Sequence, residues 1–167
     1  DGGYEIPVYN EEILNSDNDT DRSVPKAASA YADVPQIMQL PELPTGCECI
    51  SLTMVLRSLG FDVGKKDIAE RYLYKERMVR YGDGTLYGPD FRYVFAGDPK
   101  DENSFGCLAP CLEKTADRYF SENSISDYEA EDISGTEFYT LFSFIENGSP
   151  VIIWATQGLK IPKSVIS

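Results

Sequence analysis

Cys47 stands in the run Thr45-Gly46-Cys47-Glu48, directly ahead of an apolar stripe, and a cysteine in that place can act as a nucleophile. A thiol in the first turn of a helix meets unpaired amides and the positive end of the helix dipole, which favour the thiolate. The thiol pKa is therefore expected to fall. The same amides can hold the oxyanion that forms when the sulfur attacks a carbonyl carbon. Gly46 puts no side chain beside the sulfur, which leaves room for a substrate. Gln39, eight residues before Cys47, carries an amide that can donate a second hydrogen bond to that oxyanion. From these residues alone, a buried structural cysteine and an ordinary surface glutamine are the plainer accounts.

None of the 167 residues is a histidine. This excludes, within the chain, a Ser-His-Asp triad, a Cys-His dyad and any His-ligated metal. The other cysteines are Cys49, Cys107 and Cys111. Their C-x-C and C-x-x-x-C spacings are poor for a zinc site, so buried thiols are expected, with a disulfide between the two pairs as the alternative in an exported protein. Asp17, Asp19 and Asp21 suit positions 1, 3 and 5 of a calcium loop. Arg22 then stands where glycine is required and Ala28 where glutamate is, so a solvated acidic arm is the better reading. No metal and no cofactor is implied.

The chain has 28 acidic and 15 basic residues and a formal net charge of −13, a balance that repels nucleic acid and anionic membrane surfaces. Plain solubility, in a soluble or exported protein, accounts for it. The longest apolar run, Val151-Ile152-Ile153-Trp154-Ala155, is too short to span a membrane and reads as a buried strand. No signal peptide is visible, as in a cytoplasmic protein or a mature exported one.

Stepping outward from Cys47, residues 1–33 read as an acidic arm or linker, and residues 34–167 as one domain. Pro41, Pro44 and Gly46 stiffen the approach to a helix, and Thr45 with Glu48 forms a capping-box pattern at its start. Cys49, Leu52, Leu56 and Leu59 share one face of it, and Gly60 supplies a stop. A second helix is predicted over Lys65–Tyr74, with Ile68, Ala69 and Leu73 inward. Residues 80–106 read as a loop-rich excursion. A third helix begins near Pro110, with Leu108, Leu112, Ala116 and Tyr119 at helical spacing. Ser134-Gly135-Thr136-Glu137 is a second capping-box pattern ahead of a stripe of Phe138, Leu141, Phe142 and Ile145. Gly148 ends that helix and Pro150 leads into the strand at Val151–Ala155. The reading is α+β, with helices first and strands late. A sheet that is only starting at the end of the chain favours a piece of a longer protein over a complete short form.

The segment Gln39-Leu40-Pro41-Glu42-Leu43-Pro44-Thr45-Gly46-Cys47-Glu48, followed by Ser51-Leu52 and Met54, resembles the nucleophile motif of a bacterial cysteine-peptidase-like family. That family is similar to the double-glycine leader peptidases, family thirty-nine of the cysteine class, in the papain-like clan. Phe95-Ala96-Gly97-Asp98-Pro99, Gly106-Cys107-Leu108-Ala109-Pro110 and the stretch from Gly148 to Thr156 resemble later blocks in the same order. The resemblance covers roughly residues 34–156.

It implies a papain-like α+β fold, with a central nucleophile helix packed on an antiparallel sheet. It makes Cys47 the nucleophile and Gln39 the oxyanion-hole side chain. Gly46, Trp154 and Thr156 become residues that line or support a substrate cleft. The partner is then a peptide, cut through a thioester, and the general-base histidine lies beyond the last block. A histidine-free chain equally suits a module that grips peptides or cell-wall material without cutting them. Tyr72, Tyr74, Tyr81, Tyr87 and Tyr93 could give such a module an aromatic surface. A purely structural domain and an acyltransferase use of the same thioester are further alternatives. Family habit, charge and the arm point to export from a bacterial cell.

Overall fold

The computed structural model describes residues 33–156, so the expected arm and the aspartates of the calcium-like run lie outside the described residues. Helix α1 spans Cys47–Ser58, and Gly46 is its N-cap. Cys49, Leu52, Thr53 and Leu56 are buried along one face, the 3.6-residue period written as a stripe. The helix stops as the sequence proposes. Gly60 takes the left-handed conformation (φ 92°) that glycine adopts without steric cost. Its N–H bonds to the Arg57 carbonyl and that of Phe61 to the Leu56 carbonyl, both at 3.0 Å. This paired closure satisfies carbonyls that a bare helix end leaves open.

Helix α2 (Lys65–Asp67) continues as one wider π-helical turn over Ile68–Tyr72. Ile68, Ala69, Tyr72 and Leu73 are buried there, close to the predicted inward set. Helix α3 spans Ala109–Glu122 and carries proline in its first turn, where a missing N–H costs nothing. Its buried face is Cys111, Leu112, Thr115, Ala116, Tyr119 and Phe120. Leu108, expected in that stripe, is instead the residue before the helix and is 38% exposed. Ser124, with φ 55°, turns the chain out of α3 in the role glycine has after α1.

Among the described residues, four two-residue strands complete the ordered pairs. Strand β1 (Lys75–Glu76) runs parallel to β4 (Phe95–Ala96), with Lys75 opposite Phe95. Strands β2 (Val79–Arg80) and β3 (Leu86–Tyr87) form an antiparallel hairpin within the loop-rich excursion. Helix α1 packs on α3 and on the α2 unit. The core holds Leu43, Cys49, Leu56, Ile68, Phe95, Cys111, Leu112 and Tyr119. Phe61 extends it, with its ring edge-on to Tyr119 and Tyr128 at centroid distances of 6.0 and 5.0 Å.

Several expectations change in the second half. Helix α4 is Phe138–Glu146 with Glu137 as its N-cap, so the box beginning at Ser134 does not start it. The Ser134 hydroxyl bonds the Asp132 carboxylate instead. The α4 stripe is not buried among the described residues: Phe138 is 69% exposed. Residues 151–156 have no ladder partner among the described residues, so the predicted strand and the antiparallel sheet beneath α1 are not seen there. The α+β class itself stands. Among the described residues no helix is long and apolar enough to cross a membrane.

Candidate active site around Cys47

The approach to Cys47 is a tight turn strapped to α2. The Leu43 N–H bonds the Gln39 carbonyl at 3.2 Å, and the Gly46 N–H bonds the Leu43 carbonyl at 3.0 Å. The Lys65 ammonium donates to the Glu42 carboxylate at 2.7 Å and to the Gln39 carbonyl at 3.2 Å, and also reaches the Met38 carbonyl. One lysine thus ties three residues of the approach to the next helix. Gln39 donates its side-chain N–H to the Pro44 carbonyl at 2.9 Å, which fixes its amide three residues before Cys47 and leaves its second N–H hydrogen uncommitted to that bond.

Thr45 does not cap α1, and no side chain does. Its N–H donates to the Pro99 carbonyl at 3.3 Å and its hydroxyl to the Asp101 carbonyl at 2.9 Å. The threonine therefore anchors the helix start to the 98–101 turn. Gly46 faces the same turn. A Cβ there would lie 2.8 Å from the Leu43 Cβ and 3.1 Å from the Pro99 Cβ, so its missing side chain makes room for protein atoms.

Cys47 is the first residue of α1 and is exposed, whereas Cys49, Cys107 and Cys111 are buried, and all four are free thiols. The first bond within the helix runs from the Ile50 N–H to the Gly46 carbonyl at 3.0 Å. The amides of Cys47, Glu48 and Cys49 precede that ladder and surround the sulfur's end of the helix.

Enclosure of the sulfur and the neighbouring Glu48, not Thr45, set the state of this thiol. Glu48 is only 7% exposed. Oε2 accepts the Cys47 S–H at 3.2 Å, and Oε1 accepts the Cys107 N–H at 2.9 Å. The expected fall in thiol pKa is reversed. Partial enclosure of the sulfur, followed by the Glu48 charge and hydrogen bond, pushes Cys47 up to about 11. Backbone N–H groups pull the other way and lose. Burial and the same charge push Cys49 up to about 12. The Cys107 thiol is raised further by its hydrogen bond to Cys111 and by burial.

Trp154 joins this network from the far end of the described chain. Its indole N–H donates to the Cys107 carbonyl at 3.0 Å, so Cys47, Glu48, Cys107 and Trp154 form one connected series. Thr156 is exposed. A cavity of about 610 Å³ lies between α1, α3 and the last described residues, lined by Leu52, Leu56, Ala116, Phe120, Ile152 and Trp154 among others. Cys47 is not part of its lining. Among the described residues no three His, Cys, Asp or Glu side chains are grouped to hold a metal ion.

Glu48 is the site residue that the sequence reading cast in another part. Four residues before Leu52, it stands on the buried stripe of α1, and a carboxylate there must find partners inside the protein.

The first partner outside its own helix is the Cys107 amide, 59 residues away. An uncharacterized protein of Bacillus subtilis (strain 168), YvpB, is 27% identical over 160 residues, which cover 91% of this chain and 60% of that protein. The crystal structure of a Bacillus anthracis protein assigned as a C39-like peptidase matches with a TM-score of 0.57 and 28% identity, covering 70% of this chain and 54% of that one. This chain therefore spans a little over half the length of either relative. The papain-like α+β reading agrees with that structural neighbour. The sequence profile of the Peptidase_C39 like family matches residues 31–164, and the chain belongs to that family.

Proposed function

We propose that this chain carries the nucleophile of a cysteine-peptidase-like hydrolase that opens peptide or amide bonds through a thioester on Cys47. The observation that carries the proposal is the position of Cys47: an exposed thiol on the first residue of α1, beside amides that precede the helix ladder. In this reading the sulfur bonds to the substrate carbonyl carbon, and the carbonyl oxygen takes the negative charge. The helix-start amides, with the uncommitted N–H of Gln39, hold that charge. The amine leaves with a proton, and water then cleaves the thioester to the free acid. Gly46 shapes the turn that presents the sulfur, while Trp154 supports the α3 start behind it.

The proton inventory sets what the 167 residues do alone. With the thiol at about 11, roughly one sulfur in ten thousand is thiolate at neutral pH. No histidine is present to draw the proton away. The base is supplied from outside these residues, and the isolated chain turns over slowly or not at all.

Added imidazole can stand in for the missing base. With a p-nitrophenyl ester as acyl donor, intact mass and peptide mapping should place the acyl group on Cys47 ahead of the other three thiols. Imidazole should speed that transfer, and Cys47→Ala should abolish it. Acylation that spreads evenly over the four cysteines, or that survives Cys47→Ala, would overturn the proposal.

Non-catalytic peptide binding is the second reading. It is favoured by the missing histidine and by exposed Tyr81 and Tyr87 in the hairpin and Phe91 and Tyr93 after it. Saturable peptide binding that is indifferent to alkylation of Cys47 would select it.

A further inference from the structure

The contacts of Glu48 go beyond holding a helix start together. Its two carboxyl oxygens have separate tasks: one accepts the Cys47 S–H at 3.2 Å and the other the Cys107 N–H at 2.9 Å. The second contact is built with care. Gly106, next to Cys107, is left-handed (φ 96°), and a Cβ on it would lie 2.3 Å from Glu48 Oε1. The glycine lets the carboxyl reach the backbone. The Cys107 carbonyl is in turn held by the Trp154 indole at 3.0 Å. The carboxyl is thus anchored on one side and turned toward the sulfur on the other.

We propose that Glu48 is a thiol latch: a positioning residue that aims the Cys47 sulfur and keeps its proton in place until a stronger acceptor takes it. The inference rests on the reading of Cys47 as the nucleophile. Glu48 is not itself the activating base: its contact with the S–H, added to the enclosure of the sulfur, holds the proton on Cys47 rather than drawing it away. Other titratable groups near the latch are the thiols of Cys49 on α1 and of Cys107 and Cys111 at the start of α3. Lys75 of β1 is a cation that acts on Cys49, and its ammonium is paired with Asp98 at 2.8 Å. The consequence is a nucleophile held in reserve. An exposed cysteine that stays protonated resists oxidation and stray disulfide exchange, both of which need thiolate.

Glu48→Gln separates charge from shape. The glutamine oxygen can still accept the Cys107 N–H, while its NH₂ now faces the sulfur as a donor. The thiol loses its acceptor and the thiolate gains a partner. The test is the rate of iodoacetamide modification of Cys47 against pH, read by peptide mapping on the full chain. The midpoint should fall by at least about one pH unit in Glu48→Gln. At pH 8 the thiolate fraction then rises about tenfold and each thiolate is about threefold less nucleophilic, so modification should be about threefold faster. An unchanged midpoint in a folded variant overturns the latch. The wild-type profile is a second arm that needs no variant: a midpoint at or below the roughly 8.5 of a free cysteine also overturns it. Alkylation requires no hydrolysis. A chain that fails to hydrolyse any substrate therefore counts against the peptidase reading and leaves this result standing.

Discussion

The Trp154 indole N–H lies 3.0 Å from the Cys107 carbonyl oxygen and donates to it across 47 residues of sequence. Through that bond the last described segment holds the residue that anchors Glu48. Trp154 is 42% exposed, so its packing contributes less than a buried indole would. Trp154→Phe keeps most of the ring area and removes the donor. The expected cost is about 1 kcal/mol of unfolding free energy, read as a lower urea midpoint by circular dichroism. Trp154 is the single tryptophan, so in the wild-type chain its fluorescence reports this junction without labelling. An unchanged midpoint in the variant would mean that water replaces the indole at no cost.

Gly46 tests how tightly the turn before Cys47 is packed. The Cβ of Gly46→Ala would meet the Leu43 Cβ at 2.8 Å and the Pro99 Cβ at 3.1 Å. Neither atom is the free end of a flexible side chain, and Leu43 is fully buried. Overpacking of this kind costs about 1–3 kcal/mol. The loss should show as a lower melting temperature. Equal melting of the two proteins would show that the turn yields easily.

The pair Lys75–Asp98 makes a pH prediction. Burial works to raise the Asp98 carboxyl pKa, but the bonds from the Lys75 ammonium and the Lys100 N–H outweigh it and hold it below the usual aspartate value. A carboxyl whose folded pKa is depressed stabilises the protein above its unfolded pKa, and that share is lost as pH falls through the folded value. Side chains 25% and 41% exposed keep the contribution within about 1 kcal/mol. Asp98→Asn should therefore be less stable than wild type at pH 7 and should converge with it at an acid pH well below the usual aspartate value. Urea unfolding at the two pH values measures both. A gap that stays constant across that range would assign the effect to packing.

The parts legible in the sequence were those where local chemistry and tertiary packing agree. The α1 stripe and its Gly60 stop follow from periodicity and from a glycine free to take positive φ, and Cys47 was placed at the helix start. The failures share one cause. Thr45 and Glu48 fit a local capping box, yet Thr45 bonds a carbonyl 56 residues away and Glu48 an amide 59 residues away. Long-range partners outbid a local motif that offers the same hydrogen bonds. The thiol pKa departs from expectation for the same reason: dipole and amides are visible in the sequence, while enclosure of the sulfur and the orientation of its neighbour are not. Val151–Ala155 shows the limit of an apolar run, which states a preference for burial but names no strand to pair with.

The parallel pairing of β1 with β4 has a consequence for how this chain can be altered. Glu76 lies opposite Ala96, so the excursion from Arg77 to Val94 leaves the core and returns to it at neighbouring points. Such a closed detour changes in length at small entropic cost, about 0.6 kcal/mol for each doubling. Its tip at Gly82 and Gly84 has nothing within 4 Å of an added Cβ. A reporter peptide spliced in at Asp83–Gly84 would hang from the far end of the hairpin, and the four cysteines could then be followed in a chain marked at a point that none of them touches.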